Sequence, residues 1–257
     1  ATVALVVNAA TPNLSLEAGA DAALAEGNIF TRTIAFSDGE DSGANGWNYS
    51  IDYGDGTIVN GNTTVKSLEL NHQYADGNAA NTVSVSVTDG VGETVNDSFQ
   101  VTVNNVAPLA AVSGADSVVE GSLYTLTVGA VSDPGVDTRT GYSVNWGDGI
   151  TDIFTPAQWT AAAGSFTHSY ADGGNGGTAR TITVGTTDED GSFTLGSKLL
   201  NVSNAAPVVT LNGNAATNEG AAYVLNVVAS DAAGANDPLS YSINWGDGSA
   251  VQVLSAA

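Results

Sequence analysis

Carboxylates account for most of the side chains in this sequence that could do chemistry. The 257 residues include 27 aspartates and glutamates, two histidines and no cysteine. Calcium prefers carboxylate and carbonyl oxygens and takes about six to eight of them. Zinc sites and catalytic triads instead need histidine or cysteine together with further partners. Binding of a hard cation is therefore the first chemistry to consider, and it depends on the elements that position the carboxylates.

One acidic motif, Gly-Asp-Gly, occurs three times with nearly constant spacing. Each triplet follows a segment with a bulky residue at every second position, which is the period of a β-strand. Asp55 and Asp148 are 93 residues apart, and Asp148 and Asp247 are 99 apart. These aspartates are candidate metal ligands, but the glycines favour a turn, because glycine accepts positive φ and aspartate bonds the backbone two residues on. The triplets are Gly54-Asp55-Gly56, Gly147-Asp148-Gly149 and Gly246-Asp247-Gly248.

A second landmark keeps the same spacing and defines a tandem repeat. Glu-Gly pairs begin at Glu26, Glu120 and Glu219, in steps of 94 and 99 residues. A repeat of this length matches one immunoglobulin-like sandwich of about 100 residues. The predicted organisation is the last strand of a preceding repeat (1–10), repeat one (11–106), repeat two (107–205) and repeat three (206–257), the N-terminal half of a further copy.

The segments between these landmarks are short and rich in β-branched residues, with Gly, Asn and Asp between them. This pattern indicates an all-β sandwich. No stretch predicts a long amphipathic helix, although Pro156–Ala163 has room for one helical turn. Short links containing Pro108 and Pro207 predict that neighbouring domains touch. The predicted fold class is therefore all-β, with tandem immunoglobulin-like sandwiches arranged end to end.

This set of motifs resembles the polycystic-kidney-disease-type (PKD) domain, an immunoglobulin-like sandwich common in bacterial surface proteins and archaeal surface layers. The family pattern is a strand ending in an aromatic residue, then Gly-Asp-Gly, His-x-Tyr, and an alternating strand ending in Thr-Asp-x-x-Gly. The aromatic residues here, which we expect to be buried in equivalent positions, are Tyr53, Trp146 and Trp245. The remaining motif residues are His72 with Tyr74, His168 with Tyr170, and the closing aspartates Asp89 and Asp188.

The resemblance also bears on the histidines and on calcium. A structural role is favoured for the histidines, because each complete repeat has one, beside a tyrosine similar to the tyrosine corner of sandwiches. Some PKD-like domains bind calcium at the end that meets the preceding domain, and the resemblance implies such a site here. The candidate ligands are Asp38, Asp89, Glu120, Asp133, Asp188 and Asp190. The alternative is that these carboxylates are solvated loop residues.

Composition limits the partners and the location. The net charge of −22 disfavours nucleic acid and anionic membrane surfaces as partners. No apolar run approaches the ~18–20 residues of a membrane span. The absence of cysteine excludes disulfide and thiol chemistry, and it is common in large bacterial surface proteins. The expected location is extracellular, at a prokaryotic cell surface.

Together these features predict a non-enzymatic structural segment of a long surface protein, such as a surface layer, sheath, filament or adhesin stalk. Its expected partners are further repeats of the chain, other copies in an assembly, and surface glycans. An enzyme is disfavoured, because the acidic positions recur in every repeat and an active site is not normally repeated. The alternative is a carbohydrate-binding or substrate-presenting module of a secreted hydrolase. That function needs an exposed row of aromatics, for which the candidates are Trp47, Trp159 and Tyr142.

Overall fold

The computed structural model describes residues 13–39, 46–174 and 176–255, and the expected strand at 1–10 lies outside them. Nearly every regular element is a β-strand, which confirms the all-β prediction. The chain divides into two compact units. The first ends at Pro108 and also contains the segment Asp133–Thr138 of repeat two. The second contains Leu109–Ser132 and the chain from Arg139 onward.

The first unit is a β-sandwich. Its strands are β1 (Ser15–Leu16), β2 (Ala22–Ala25), β3 (Ile29–Ser37), β4 (Trp47–Asp52), β5 (Ile58–Thr63), β6 (Ser67–Gln73), β7 (Ala79–Thr88) and β8 (Thr94–Asn104). One sheet has three strands in the order β1-β3-β6, and the other has five in the order β2-β8-β7-β4-β5. Neighbouring strands are antiparallel except β2 and β8, which run parallel. Residues from both sheets form one hydrophobic core.

The second unit contains an equivalent sandwich. Its elements are β9 (Val112–Gly114), β10 (Ser117–Val119), β11 (Leu123–Val128), β12 (Gly141–Asn145), β13 (Thr151–Phe154), α1 (Pro156–Ala162), β14 (Ser165–Ser169), β15 (Thr178–Thr187) and β16 (Ser192–Ser203). The sheets have the orders β9-β11-β14 and β10-β16-β15-β12-β13. Each strand of repeat one thus has a counterpart in repeat two with the same neighbours, and both repeats form immunoglobulin-like sandwiches.

The helix α1 is short and capped at both ends. The Thr155 side chain accepts a hydrogen bond from the Gln158 backbone, and the Gln158 side chain accepts one from the Thr155 backbone. Such a capping box satisfies backbone groups that a helix leaves open at its start, where proline is also tolerated. The helix ends at Ala162, and the C-cap residue Ala163 adopts a left-handed conformation with φ of 50°. The helical turn predicted at Pro156–Ala163 is confirmed.

Repeat three is described through β17 (Val208–Gly213), β18 (Leu225–Ser230), β19 (Ser240–Ile243) and β20 (Gln252–Ser255), with a 3₁₀ turn at Gly234–Asn236. β17 pairs with β18, and β19 pairs with β20. These pairs match β9 with β11 and β12 with β13 in repeat two. Counterparts of β14, β15 and β16 do not occur among the described residues of repeat three.

Strand alternation forms the core of both sandwiches. In β7, Val83, Val85 and Val87 are buried, and in β15 Ile182 and Val184 are buried. Because successive side chains point to opposite faces, the polar residues between them lie on the outside of the sheet. Each buried aliphatic side chain stabilises the fold by about 1.5–3 kcal/mol relative to exposure. The period of two in the sequence is therefore sufficient to assign the inner face.

The three equivalent aromatic residues do not share one environment. Trp146 is 0% exposed and Tyr53 is 2% exposed, as expected, but Trp245 is 41% exposed. The prediction for Trp245 is wrong because the covering strand is missing from the described part of repeat three. In repeat two that strand is β14, and its His168 stacks on Trp146 with ring centroids 4.8 Å apart.

Candidate functional site

The Gly-Asp-Gly triplets form turns. All six glycines have φ between 75° and 97°. In each triplet the aspartate Oδ1 accepts a hydrogen bond from the backbone two residues on, at 2.9 Å for Asp55, 3.0 Å for Asp148 and 2.9 Å for Asp247. A Cβ on Gly147 would lie 2.7 Å from the Thr181 carbonyl oxygen, so only glycine fits there. The turn interpretation of the triplets is confirmed.

In the two complete repeats the same aspartate also holds the histidine. His72 Nε2 lies 2.6 Å from Asp55 Oδ2, and His168 Nε2 lies 2.7 Å from Asp148 Oδ2. Burial opposes ionisation of the Asp148 carboxyl, but hydrogen bonds from His168 and from the Ile150 backbone outweigh it and lower the pKa of Asp148. Each carboxylate is thus satisfied by the backbone on one oxygen and by an imidazole on the other.

Aromatic rings enclose these histidines. The His168 ring stacks on Trp146 and meets the edge of Tyr170, with centroids 4.7 Å apart in the second contact. The Tyr170 hydroxyl donates to the Trp146 carbonyl at 3.0 Å, and burial raises the pKa of Tyr170. In repeat one, burial followed by the charge of Asp55 raises the pKa of Tyr74 to about 12. This closed packing matches the structural role expected for the histidines.

Most of the predicted calcium ligands accept hydrogen bonds within their own loops. Their partners are the Trp47 indole for Asp38, the backbones of Val91 and Glu93 for Asp89, the Gly135 backbone for Asp133, and the backbones of Asp190 and Gly191 for Asp188. Within the described ranges, Asp188 Oδ2 and Asp190 Oδ2 are buried and accept no hydrogen bond. Asp38 and Asp89 belong to no group of three or more acidic side chains within ligand distance, as far as the structure describes the chain.

Glu120 lies at the other end of the sandwich from Asp188. Its backbone N–H donates to the Ser203 carbonyl, beside Thr178 at the start of β15. Asp188 follows the last residue of β15, and a ten-residue strand at about 3.3 Å per residue puts about 30 Å between the two ends. The structure therefore separates Glu120 from Asp188 and Asp190.

Glu120 instead belongs to an acidic cluster with two aspartates of repeat three. One carboxylate oxygen from each of Glu120, Asp231 and Asp237 lies within 4.8 Å of the others. Glu120 is only 1% exposed, and its oxygens accept hydrogen bonds from the backbones of Gly173 and Ala205, at 2.6 and 2.9 Å. These three residues are called the Glu120 cluster below.

The Glu120 cluster has properties that suit a cation. Desolvation and the negative charges of Asp231, Glu120 and Asp172 raise the pKa of Asp237. In the described structure, Asp231 Oδ2 and the amide oxygen of Asn204 are buried without a hydrogen-bond partner. Carboxylate and amide oxygens are the donors that calcium takes, so the residues present fit this ion.

An equivalent cluster occurs in the first unit. Oxygens of Glu26, Asp76 and Asp137 lie within 4.8 Å of one another, and they are called the Glu26 cluster below. Glu26 is buried and accepts a hydrogen bond from the Val106 backbone at 2.8 Å, as Glu120 does from Ala205. The amide oxygen of Asn105, the counterpart of Asn204, is also buried with no hydrogen-bond partner among the described residues.

In the first two Glu-Gly pairs, the glycine lets the loop of the following repeat approach. Gly121 has φ of 69°, and a Cβ on it would lie 3.1 Å from the Ala232 side chain. A Cβ on Gly27 would lie 2.5 Å from the Pro134 carbonyl oxygen. The sequence pattern predicts Glu120 as a calcium ligand but does not single out Glu26, although a glutamate followed by glycine recurs at both positions and is buried in both.

The aromatic candidates for glycan binding do not form an exposed row. Trp47 is 1% exposed and packs edge-on against Phe36. Trp159 stacks on Tyr142, with ring centroids 4.4 Å apart and an angle of 7° between the planes. One face of each ring is therefore covered by the other ring and is not offered to a sugar.

No protein-family model and no curated protein matches the chain. Among solved structures, the chain is similar to extracellular domains 3–5 of Drosophila OTK (8% identity, 95% of this chain and 85% of that one, TM-score 0.34). It is also similar to a complex of Dpr11 IG1 with DIP-gamma IG+IG2 (12% identity, 75% of this chain and 98% of that one, TM-score 0.32). A third similar structure is Bacteroides ovatus SGBP-B of the mixed-linkage glucan utilization locus, in complex with a mixed-linkage heptasaccharide (11% identity, 96% of this chain and 71% of that one, TM-score 0.29).

These TM-scores and identities are too low to support any inference about function. The resemblance to PKD domains therefore stays a prediction. Within the described residues no helix is long and apolar enough to span a membrane.

Proposed function

We propose that the chain is a structural segment of a long extracellular surface protein, built from PKD-type repeats whose junctions bind calcium. The observation that carries this proposal is the recurrence of one arrangement. A buried glutamate, Glu26 or Glu120, accepts a hydrogen bond from the segment after its own repeat. It also lies within ligand distance of aspartates in the first loop of the following repeat, Asp137 or Asp231.

This arrangement gives calcium a mechanical role. Without a cation, the carboxylates of the Glu120 cluster repel one another and push the loop of repeat three away from Gly121. A bound ion would neutralise the cluster and tie Glu120, Asp231 and Asp237 to one centre. The hydrogen bond from the Ala205 backbone N–H to Glu120 would connect the bound ion to the link between the repeats. Asp231 Oδ2 is buried and accepts no hydrogen bond in the described chain, so this oxygen is available to the ion.

The chemistry and the charge of the chain support the same function. Five basic residues cannot neutralise 27 acidic ones, so the counter-ions must come from solution. Extracellular modules bind calcium with dissociation constants of about 10⁻⁴–10⁻³ M. We propose a prokaryotic cell surface as the location, because it suits a chain without cysteine. We further propose that the repeats act in an assembly with other copies, as a layer, sheath, filament or stalk, and not as an enzyme.

Thermal unfolding of the full chain with calcium and with EDTA tests this function. At ~1 mM calcium each site should add about 0.4–1.4 kcal/mol to the free energy of unfolding. The variant Asp237→Asn should lose part of this gain. Glu17→Gln is the matched control, because it removes one negative charge at an exposed position. A melting temperature that does not respond to calcium, or an equal response from Asp237→Asn and wild type, would contradict the proposal.

A further inference from the structure

The outer face of the five-stranded sheet in the first unit is almost uncharged. Cross-strand partners lie on the same face of a sheet, so the strand pairing shows which residues share the outer face. Ser50, Ser86 and Asn96 lie side by side across β4, β7 and β8. The outward residues of β7 and β8, two fully described strands, are all Ala, Ser, Thr, Asn or Gln. β4 adds one carboxylate, Asp52, whose Oδ1 accepts a hydrogen bond from the Gly54 backbone.

The second unit has the same kind of face. Asn145, Thr183 and Ser197 lie side by side across β12, β15 and β16. The outward residues of β12, β13, β15 and β16, which are also fully described, include no charged side chain. The outer faces of the β4-β7-β8 and β12-β15-β16 sheets are called the neutral faces below.

The neutral faces belong to a chain with a net charge of −22, whose carboxylates, apart from Asp52, therefore lie elsewhere. Two copies repel wherever their carboxylates face each other, over a screening distance of about 8 Å at physiological salt. Sheets that pack face to face lie about 10 Å apart, so their outward side chains touch. Charged residues are also depleted at the centre of protein interfaces. The neutral faces are therefore where two copies can meet without opposing carboxylates.

The side chains on these faces favour a second copy over a glycan. The outward residues of the neutral faces include no aromatic side chain that could stack on a sugar, and Trp47 and Trp146 point into the cores. The hydroxyl groups on these faces can form hydrogen bonds, as the Thr88 hydroxyl does with that of Thr94 across β7 and β8 at 2.8 Å. Short side chains also lose little rotamer entropy when they are covered.

We propose that the neutral faces are the lateral contact surface between copies of this chain. Each neutral face binds weakly alone, but a repeat array presents several faces on one chain, so successive contacts become intramolecular and strengthen one another. This inference rests on the assembly role proposed above and specifies the surface used. It does not require calcium.

Sedimentation velocity of the full chain in EDTA tests the surface separately from the calcium sites. Wild type should associate increasingly with protein concentration and with NaCl, since salt screens the remaining repulsion. The double variant Ser84→Glu, Thr181→Glu puts a charge at an exposed position on each neutral face. Association should weaken about tenfold or more, because like charges then oppose each other across the contact.

The matched control is Thr31→Glu, Thr167→Glu, which adds the same charge at exposed positions of the three-stranded sheets. It should associate like wild type. Because the chain has no cysteine, Ser84→Cys should also give an oxidised disulfide dimer, whereas Thr31→Cys should not. A wild type that stays monomeric at every concentration and salt, or a control as impaired as the face variant, would overturn the proposal.

Discussion

Two regions of the second unit use carboxylates in opposite ways. Asp148 has partners of its own, an imidazole on one oxygen and a backbone N–H on the other. The Glu120 cluster instead gathers carboxylates within 4.8 Å of each other. The pKa of Asp148 is lowered, mainly by hydrogen bonds that outweigh its burial, whereas desolvation and neighbouring charges raise the pKa of Asp237. A carboxylate with fixed partners stabilises a turn, whereas carboxylates that face each other repel until a proton or a cation neutralises one of them.

The largest expected effect concerns Trp146, whose ring stacks on His168, the partner of Asp148. Trp146→Ala should lower the free energy of unfolding by about 3–5 kcal/mol, because it empties a buried site and removes the ring that stacks on His168. Trp245→Ala is the matched control in repeat three and should cost less than about 1.5 kcal/mol, since Trp245 is 41% exposed. Urea denaturation measures both losses. Equal losses would contradict the account of the two environments.

A smaller effect is expected from the Asp148 carboxylate itself. Asp148→Asn should cost about 1–3 kcal/mol near neutral pH, because the charged acceptor of the His168 bond is lost. Asp247→Asn should cost less, as Asp247 forms the same turn but has no histidine partner in the described part of repeat three. A loss at Asp247 as large as that at Asp148 would show that the turn bond, and not the imidazole, provides the stability.

The lowered pKa of Asp148 also predicts the direction of the pH dependence. A carboxyl with a lowered folded-state pKa contributes stability above its unfolded pKa of about 3.9, and it loses that stability as the pH falls through the folded value. Wild type should therefore lose more stability than Asp148→Asn below about pH 4. Parallel acid-unfolding curves for the two proteins would contradict this.

The smallest effect is expected at the Glu120 cluster without calcium. Because the pKa of Asp237 is raised in the folded state, its ionisation opposes folding as the pH rises. In EDTA at pH 7, Asp237→Asn should therefore leave the melting temperature unchanged or raise it slightly. A clear decrease would mean that Asp237 already has a stabilising partner in the protein.

Local patterns in the sequence predict one of these regions better than the other. The period of two in β7 and β15 and the Gly-Asp-Gly spacing are sufficient to predict the sandwiches and their turns. The pairing of Asp148 with His168 spans 20 residues, and motif matching identified both residues without joining them. Asp148 follows β12 and His168 lies in β14, and these strands belong to different sheets. Their contact therefore depends on how the two sheets pack, which local patterns do not encode.

The Glu120 cluster could not be assembled from sequence for a similar reason. Glu120 and Asp231 belong to different repeats, and only the fold brings the start of repeat two near the first loop of repeat three. Loop position alone therefore groups Glu120 with Asp188 and Asp190, which the fold separates. The exposure of Trp245 was missed because the sequence motif records the residue but not the strands that cover it.

Isothermal titration of calcium into the full chain at pH 7 tests the central claim most directly. The account predicts two sites, one at the Glu26 cluster and one at the Glu120 cluster, with dissociation constants of about 10⁻⁴–10⁻³ M. Asp237→Asn should leave one of them, and Glu17→Gln should keep both. Absence of binding up to about 10 mM calcium, well above that affinity range, or two intact sites in Asp237→Asn, would contradict it.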